Sequence, residues 1–365
     1  MRKIANRIDA GVSWLVESGV QHPDGGFAAW YDTERHDHPY LYAEITGYLT
    51  TLFCQVYART GDPRHRAAAV AAGDWLERTA DGPTGAFRCL VPLHDGPFAA
   101  KKDLVYAFDT GVIVNGLANL YRITGDDRHL KTAVRAADWL TGTAQRPDGA
   151  FRPIWDAATG TFAPEADDWS WQPGGYHTKV ALGLANLAEL TGRADYRDAA
   201  IRACEYACAI QAGDGSIGHP DGIHVHPHEY AAEGLWAVGL LLDRPDFVAA
   251  SRRATEWLLS LQREDGTVPR FVRAGTPVHA ERVDVQAQAL RLASLHGLPG
   301  RLAELTAHVA GQQAETDDVR SRGGWWFGRL SDGEPVPHVN VWVTAFAVQA
   351  LDLRDGGTLE PRFLV

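Results

Sequence analysis

Residues 115–151 read NGLANLYRITGDDRHLKTAVRAADWLTGTAQRPDGAF, and this stretch contains the unit from which the fold can be predicted. An apolar helix ends at Thr-Gly, a short turn follows, and a second helix with polar residues on one face leads to Trp139. The unit closes with Gln145, an Asp-Gly pair and Phe151. Because a repeated unit determines the whole architecture, we first asked whether this one recurs. Its own pattern predicts a helical hairpin.

The unit does recur along the whole chain. Its second helix and Asp-Gly turn appear at residues 12–27, 72–87, 136–151, 204–217 and 255–271, with a degenerate copy at 305–327. Between these segments lie more apolar ones, at residues 42–61, 106–125, 176–192, 229–243, 282–297 and 339–353. Their apolar residues extend around the helix beyond one stripe, which indicates burial on several sides. The sequence therefore predicts outer and inner helices in alternation, forming six hairpins.

The connections between helices differ in length in a regular way. Each inner helix passes to the next outer helix within a few residues, and several of these turns carry a Gly suited to a left-handed C-cap. The outer-to-inner connections are long, as at 82–104, 146–174 and 315–338. An open stack would need a polar capping face at its ends, and the last helix is apolar throughout. We therefore predict an all-α, closed (α/α)6 toroid formed as a single domain by residues 1–365.

Composition limits the classes of partner. A net charge of −11 argues against a nucleic-acid surface, and no apolar stretch is long enough to predict a membrane span. The N-terminus lacks the apolar core of a secretion signal, and four scattered cysteines do not suggest a disulfide framework, so we expect a cytoplasmic protein. We expect no cofactor and no metal. The histidines of the 219–230 segment, His219, His224, His226 and His228, are interpreted as solvated loop residues because no fixed metal-binding framework accompanies them.

Candidate site residues come from the first turns of the inner helices, which should meet at the mouth formed by the long loops. The candidate catalytic residues are Glu44, Asp109, His177, His228, Glu229 and Asp284, and the candidate substrate-binding residues are Tyr42, Tyr106, Tyr176, Lys179, Glu233, Arg282, Gln286, Asn340 and Trp342. Burying such groups is costly, which favours a functional reason for them. A capping role is equally compatible with Asp109, Glu44 and Glu229, because acids stabilise helix N-termini.

Aromatic residues of the loops add a second group of candidates. Exposed rings at a pocket mouth can stack on sugar faces or on polyene chains. The loops contribute Trp30, Tyr31, Trp155, Trp169, Trp171, Trp325 and Trp326, of which we retain Trp169, Trp171, Trp325 and Trp326 as candidate binding residues.

The sequence resembles two superfamilies that share this ring. The Trp-Leu…Gln-x-x-Asp-Gly-x-Phe unit at 139–151 and its relative at 257–266 resemble the QW repeats of squalene-hopene-type terpenoid cyclases and protein prenyltransferases. The segments 49–76 and 115–140 are similar to the hairpins of six-hairpin glycosidases, a group that includes unsaturated glucuronyl hydrolases, N-acylglucosamine 2-epimerases and the helical domain of glucuronyl C5-epimerases. The resemblance implies the toroid fold.

Motifs that are absent help to choose between the two. The sequence contains no Asp-x-Asp-Asp string of a class II terpenoid cyclase, no helical DDxxD and no Asp-x-Cys zinc pair of a prenyltransferase. In unsaturated glucuronyl hydrolases an Asp near the start of an inner helix donates a proton, and the string YAFDTG with Asp109 is similar. The resemblance therefore favours a carbohydrate-active enzyme.

Three hypotheses follow. The first is a glycoside hydrolase, or a lyase or epimerase acting on a sugar acid, whose partner is a small-molecule or oligosaccharide substrate. Hydrolysis would use Asp109 with a second carboxylate, epimerisation would use His177, His228 or Tyr176 as base, and Lys179, Arg282 or Arg152 could hold an anionic group. The second is a terpenoid cyclase-like enzyme with an unusual acid and an aromatic, weakly polar pocket. The third is a non-catalytic binding module whose centre is filled.

Overall fold

A computed structural model describes residues 2–218, 222–330 and 332–365. In these ranges twelve α-helices alternate between two layers. The outer helices are α1 (Arg2–Glu17), α3 (Pro63–Thr79), α5 (Asp127–Trp139), α7 (Ala194–Ile210), α9 (Pro245–Ser260) and α11 (Leu302–Gly311). The inner helices are α2 (Ala43–Thr60), α4 (Ala107–Thr124), α6 (Thr178–Thr191), α8 (Val225–Leu241), α10 (Val283–Leu295) and α12 (Val341–Arg354). The predicted toroid is confirmed.

Glycine and aspartate set the short turns at one end of the barrel. Gly61, Gly125 and Gly192 end α2, α4 and α6 with φ near 67°, 68° and 68°, a left-handed conformation that glycine adopts without a steric penalty. The side chains of Asp62 and Asp126 then accept hydrogen bonds from the backbone at the start of α3 and α5. Local capping therefore explains the predicted short turns of a few residues between inner and outer helices.

Repeated Gln and Gly residues after four of the outer helices join neighbouring hairpins. The Gln145 amide donates to Gly149 O at 3.2 Å and to Ala199 O of α7 at 2.8 Å. Gly149 has φ 92°, and a Cβ atom there would lie 2.2 Å from Arg202 O, so only glycine permits this approach. Gln21, Gln211 and Gln313 repeat the bridge.

The same bridge closes the ring. The Gln313 amide, in the last hairpin, donates to Arg7 O of α1 at 2.9 Å and to Gly323 O at 2.8 Å. The Trp14 indole of α1 donates to Arg320 O at 2.9 Å, and α1 also packs on α12. The first and last hairpins are therefore neighbours, and the solenoid alternative does not hold.

Short strands in the long loops form a collar around the mouth. They are β1 (Trp30–Asp32), β2 (Tyr40–Tyr42), β3 (Leu90–Pro92), β4 (Leu104–Tyr106), β5 (Ile154–Asp156), β6 (Thr161–Phe162), β7 (Ile223–His224), β8 (Phe271–Arg273), β9 (Thr276–Val278), β10 (Trp325–Trp326) and β11 (His338–Asn340). The antiparallel pairs β2–β3, β4–β5 and β7–β8 join the strand before an inner helix to the following loop, and β11–β1 does so across the ring closure. The sequence analysis predicted these segments only as loops.

The opposite end of the barrel is filled. The 3-10 turn Pro361–Phe363 lies beneath the inner helices, where the amides of Asn115 and Asn119 donate to Arg362 O at 3.0 Å and 2.8 Å. Val365 is fully buried. A ligand can therefore approach the ring centre from the collar end. In the described part of the chain, no helix is both long and apolar enough to cross a membrane.

Candidate active site

A cavity of about 340 Å³ opens at the collar end of the ring. It is lined by residues of the inner helices and of the loops above them: Tyr40, Tyr42, Glu44, Ile45, Cys89, Leu90, Phe98, Lys101, Tyr106, Phe108, Asp109, Pro153, Asp168, Trp169, Ser170, Tyr176, His226, Tyr230, Arg282 and Trp342. Of the predicted residues, Glu44, Asp109, Tyr42, Tyr106, Tyr176, Trp169, Arg282 and Trp342 therefore share one cavity.

Helix position decides which side chains reach this cavity. Tyr42, Tyr106 and Arg282 occupy the N-cap positions of α2, α4 and α10, each as the residue directly before the helix. Glu44 and Trp342 occupy the second helical position of α2 and α12. Because consecutive inner helices enter the ring in the same orientation, equivalent positions face the same centre.

Glu44 and Asp109 are the carboxylates of the cavity. They lie in the first turns of the adjacent helices α2 and α4, and their exposed fractions are 8% and 3%. One oxygen of Asp109, Oδ2, has no hydrogen-bond partner among the described residues. An acid buried in this way is costly unless a ligand or a proton compensates it.

Burial raises the pKa of both groups, although a helix N-terminus by itself favours ionised acids. The pKa of Glu44 rises to about 7, because burial outweighs a hydrogen bond from Tyr42 and the charges of Lys179 and Arg282. The pKa of Asp109 rises well above its usual value, first through burial and then through the negative charge of Glu44. Burial therefore favours the protonated form of both acids, and the negative charge of Glu44 adds to this effect at Asp109.

Arg282 and Lys101 supply positive charge to the same cavity. The Arg282 guanidinium donates to Asp284 through Nε at 2.9 Å and Nη2 at 2.6 Å, and its Nη1 lies 3.1 Å from Nδ1 of His226. Asp284 also accepts from the Trp342 indole at 3.1 Å. Asp284 is therefore a buried support that fixes Arg282 and Trp342, rather than a lining residue.

Aromatic rings form much of the cavity wall. Trp169 meets Tyr176 and His226 edge to face, with ring centroids 5.2 Å and 4.6 Å apart. Tyr40 and Tyr42 are 5.7 Å apart in a similar arrangement. Burial raises the pKa of Tyr42 and Tyr176, so their hydroxyl groups stay protonated and act as donors.

Three predicted site residues lie outside the cavity, and two of them hold the collar loops. At the fourth helical position, His228 Nδ1 accepts from Ile217 N at 3.1 Å and Gln286 Oε1 accepts from Val268 N at 2.9 Å. In the same way, the side-chain hydroxyls of Thr46 and Thr344 accept hydrogen bonds from the backbone N–H groups of Phe27 and Trp325. In these four turns the bond anchors the residue two positions after the turn glycine, so His228 and Gln286 support the collar and do not line the cavity.

His177 is the third of these residues. It lies behind Tyr176, with its ring 5.6 Å from that of Phe151, and neither ring nitrogen has a hydrogen-bond partner among the described residues. Burial lowers its pKa to about 3, so the imidazole is neutral. It is thus buried outside the cavity, and we withdraw it as a candidate base.

Charged residues deeper in the ring pair with each other and do not line the cavity. Glu233 accepts from Lys179 at 3.2 Å and from both Nε and Nη2 of Arg291, and Gln288 donates to it at 3.2 Å. Lys179 also donates to Val365 O at 3.0 Å. The binding roles predicted for Lys179 and Glu233 are therefore corrected to structural ones. Glu229 is fully buried, and its carboxyl oxygens have no partner among the described residues.

The remaining candidates also lie outside the cavity lining. Trp325 is fully buried and donates through its indole to Val309 O at 2.6 Å, which makes it part of the core. Asn340 caps α12 by accepting from Val343 N at 3.2 Å. Trp171, in a 3-10 turn, and Trp326, in β10, are half-buried and do not line the cavity. The fold requires the first two residues for structural reasons, which the sequence alone did not reveal.

The positions of two histidines contradict our prediction that the histidines of the 219–230 segment are solvated loop residues. His226 and His228 are buried within α8 rather than solvated in a loop, because α8 already begins at Val225. Pro227 is accepted in this first turn, where its missing N–H is not needed for an intrahelical bond. His219 lies outside the described residues. The earlier helix start brings His226 and Tyr230 into the cavity, and both were missed at the sequence level.

Other lining residues come from the collar. Tyr40 lies two residues before Tyr42 on β2, and alternation along the strand would have pointed to it. Cys89, Lys101 and Asp168 lie in loops, and no sequence pattern predicted their convergence. Among the described residues, no group of three or more His, Cys, Asp or Glu side chains has the arrangement of a metal site.

The fold and the position of the cavity define an (α/α)6 toroid with a site at its loop end. No protein-family model matches the sequence, and no curated protein matches it. Several solved structures, in contrast, are similar to this chain in fold. Cellobiose 2-epimerase from Bacillus thermoamylovorans superposes with a TM-score of 0.77 at 12% identity, covering 96% of this chain and 100% of that one. A D-mannose isomerase gives 0.76 at 13% identity, covering 96% and 97%. Unsaturated glucuronyl hydrolase from Bacillus sp. GL1 gives 0.72 at 16%, covering 99% and 98%.

Proposed function

We propose that this protein is a carbohydrate-active enzyme that hydrolyses a glycoside, with Asp109 as the proton donor and Glu44 as the second carboxylate. The observation that carries the proposal is the pairing of two buried acids from adjacent helices in one cavity. Glycoside hydrolysis needs two carboxyl groups whose pKa values differ, so that one is protonated while the other is ionised. The negative charge of an ionised Glu44 raises the pKa of Asp109, which favours a state in which Glu44 is ionised and Asp109 keeps its proton.

The proposed roles follow from the environment of each acid. Asp109 retains its proton and has one unpartnered oxygen, so it can protonate the leaving oxygen of a glycoside. Glu44, with a pKa of about 7, is ionised in a useful fraction of molecules and can activate water or stabilise positive charge at the anomeric carbon. Tyrosine hydroxyls and Trp169 around them suit the hydroxyls and the apolar faces of a pyranose.

The cations favour a substrate that carries a carboxylate. Arg282 is held rigidly by Asp284, and Lys101 approaches from the collar. Its Nε and Nη2 atoms are occupied by Asp284, so a substrate carboxylate would be bound through Nη1, beside His226, and by the Lys101 ammonium. Uronic acid glycosides are therefore the substrate class that we propose, and this class includes the unsaturated glucuronyl compounds named for one structural neighbour.

Epimerisation is the second reaction to consider because two neighbours are a sugar epimerase and an isomerase. It requires a base that removes a proton from carbon. His226 lines the cavity, but burial and the adjacent Arg282 lower its pKa well below the usual value. A weakly basic imidazole is poorly suited to that step, so hydrolysis is the better-supported proposal.

The other two hypotheses are less compatible with the cavity. A terpenoid cyclase would need a largely apolar pocket, whereas this one contains carboxyl, guanidinium and ammonium groups. A binding module with a filled centre would have its acids neutralised by arginine. Glu233 and Asp284 are neutralised in this way, but Glu44 and Asp109 are not.

The proposal is tested by incubating the protein with three substrates in parallel. An unsaturated glucuronyl disaccharide prepared from a glycosaminoglycan should be cleaved, with loss of its ultraviolet absorbance and release of the second sugar. Cellobiose and D-mannose should be returned unchanged, as followed by chromatography. Conversion of cellobiose or mannose without cleavage of any uronic acid glycoside would replace hydrolysis by epimerisation or isomerisation.

A further inference from the structure

A second cavity adjoins the catalytic one. It has a volume of about 440 Å³ and lies beside the start of α6, the end of α7 and the start of α8. Trp169 and Tyr176 belong to the linings of both cavities, so these two side chains form a common wall. On its far side the second cavity is bounded by Tyr206 and Ile210 of α7. None of the proposed catalytic groups lies in it.

The local sequence explains why this space is not filled. The segment Gln172-Pro173-Gly174-Gly175 passes along the cavity, and its two glycines contribute no side chains. Gly175 packs closely on Ile217, since a Cβ atom there would lie 2.7 Å from that side chain. The backbone is thus held in place while the volume in front of it remains open.

The chemistry of the walls suits a sugar ring. Trp169, Tyr176 and Tyr206 offer aromatic surface, and the Tyr176 hydroxyl donates to Gln172 O at 2.9 Å, which fixes its ring. Opposite them, Arg146 and Glu165 form a rim with an N–O distance of 3.6 Å, and their side chains are 37% and 55% exposed. A loose ion pair of this kind can exchange its partner for sugar hydroxyls at little cost. Aromatic walls with few polar groups are typical of ligand sites.

We propose that this second cavity binds a further pyranose ring of an oligosaccharide whose scissile bond lies beside Asp109. The sugar chain crosses the Trp169 indole, which contacts a ring on either side. The position of the scissile bond in this inference rests on the proposed function. The new element is that the preferred substrate is longer than the catalytic cavity alone can hold. Arg146 and Glu165 orient the distal ring through its hydroxyls.

The experiment measures binding separately from turnover. The variant Asp109→Asn is titrated by calorimetry with unsaturated glucuronyl di- and tetrasaccharides from one glycosaminoglycan. In this background the tetrasaccharide should bind roughly tenfold more tightly than the disaccharide. Adding Tyr206→Ala should remove that gain and leave disaccharide affinity unchanged, whereas Tyr206→Phe should retain it because the ring is kept. Tyr57→Ala, at a half-buried tyrosine of α2 outside both cavities, is the matched control.

The outcomes separate this inference from the proposed function. Equal affinity for both chain lengths, or a length-dependent gain that survives Tyr206→Ala, would overturn the second site even if wild-type protein cleaves the disaccharide. A gain that depends on Tyr206, in a protein that cleaves neither substrate, would support the second site and reject hydrolysis.

Discussion

The second helical positions of α2 and α10 carry acids in two different environments. In α10 the N-cap residue is Arg282, and it donates two hydrogen bonds to Asp284, at 2.9 Å and 2.6 Å. In α2 the N-cap residue is Tyr42, and Glu44 is left in the cavity with a pKa raised to about 7. Both acids are buried. The residue two positions earlier therefore decides whether the acid is neutralised.

This difference separates acids that stabilise the fold from acids that can take part in catalysis. A buried acid that is paired with arginine has its charge compensated and its oxygens occupied by hydrogen bonds. A buried acid that lacks a cationic partner has a pKa closer to the working pH, which is what acid–base catalysis requires. Asp109 belongs with Glu44 in this respect. The predictions below test the contrast, beginning with the largest effect.

Asp109→Asn should abolish most of the hydrolytic activity while the protein remains folded. Removal of a general acid typically lowers the rate by about 10²–10⁴-fold, and the amide preserves the shape of the side chain. Turnover of the glucuronyl disaccharide and a circular dichroism spectrum are the two measurements. Asp127→Asn, an exposed first-turn acid of α5, is the control and should leave turnover unchanged. Full activity in Asp109→Asn would remove Asp109 from the mechanism.

Asp284→Asn should destabilise the fold by about 3 kcal/mol, because it leaves the Arg282 charge buried without its partner. The matched control is Asp246→Asn. Arg244 and Asp246 form the same N-cap pair at the surface of α9, with an N–O distance of 2.7 Å. A surface pair contributes about 0–1 kcal/mol. Urea denaturation of both variants gives the comparison, and equal losses would mean that burial of the α10 pair has no energetic consequence.

Glu44→Gln should stabilise the folded protein near pH 8 by about 3 kcal/mol. The reason is the sign of the linkage: the pKa of Glu44 is about 7 when folded and near 4.5 when unfolded. Its contribution to stability is present at low pH and is lost as pH rises through this window. Denaturation at pH 4 and pH 8 should therefore show a gain for the variant only at the higher pH. Glu256→Gln, at a surface ion pair of α9, should show no such pH-dependent gain.

The sequence predicted the ring because the fold depends on repeated local signals. The Gln and Asp-Gly residues that mark each hairpin are the same residues that bridge to the next outer helix, as at Gln145 and Gly149. Glycine at the C-caps and apolar inner helices likewise act locally. Six copies of one unit made the topology predictable from a single chain.

The site was less predictable because it depends on helix register within a turn. The sequence pattern predicted that α8 begins after Pro227, which placed His228 and Glu229 at the mouth. The helix begins instead at Val225, and it presents His226 and Tyr230 there. A shift of a few residues rotates every side chain to another face. The collar strands were missed for a related reason. Strands of only two or three residues pair because the ring brings them together, and their own sequence carries little signal.

The smallest effect concerns the pKa of Asp109, and it can be measured without any substrate. The negative charge of Glu44 raises this pKa, while a hydrogen bond with the Cys89 thiol lowers it. Glu44→Gln should therefore lower the pKa of Asp109 by roughly one unit, and Cys89→Ala should raise it. Carboxyl titration by carbon NMR with labelled aspartate gives both values. If hydrolysis also depends on the Asp109 proton, the alkaline limb of the rate profile shifts to higher pH in Cys89→Ala, which keeps both proposed catalytic carboxyl groups. Shifts of equal sign would show that the two groups do not act on Asp109 through charge and hydrogen bonding, and that the environment of α2 and α4 is set by burial alone.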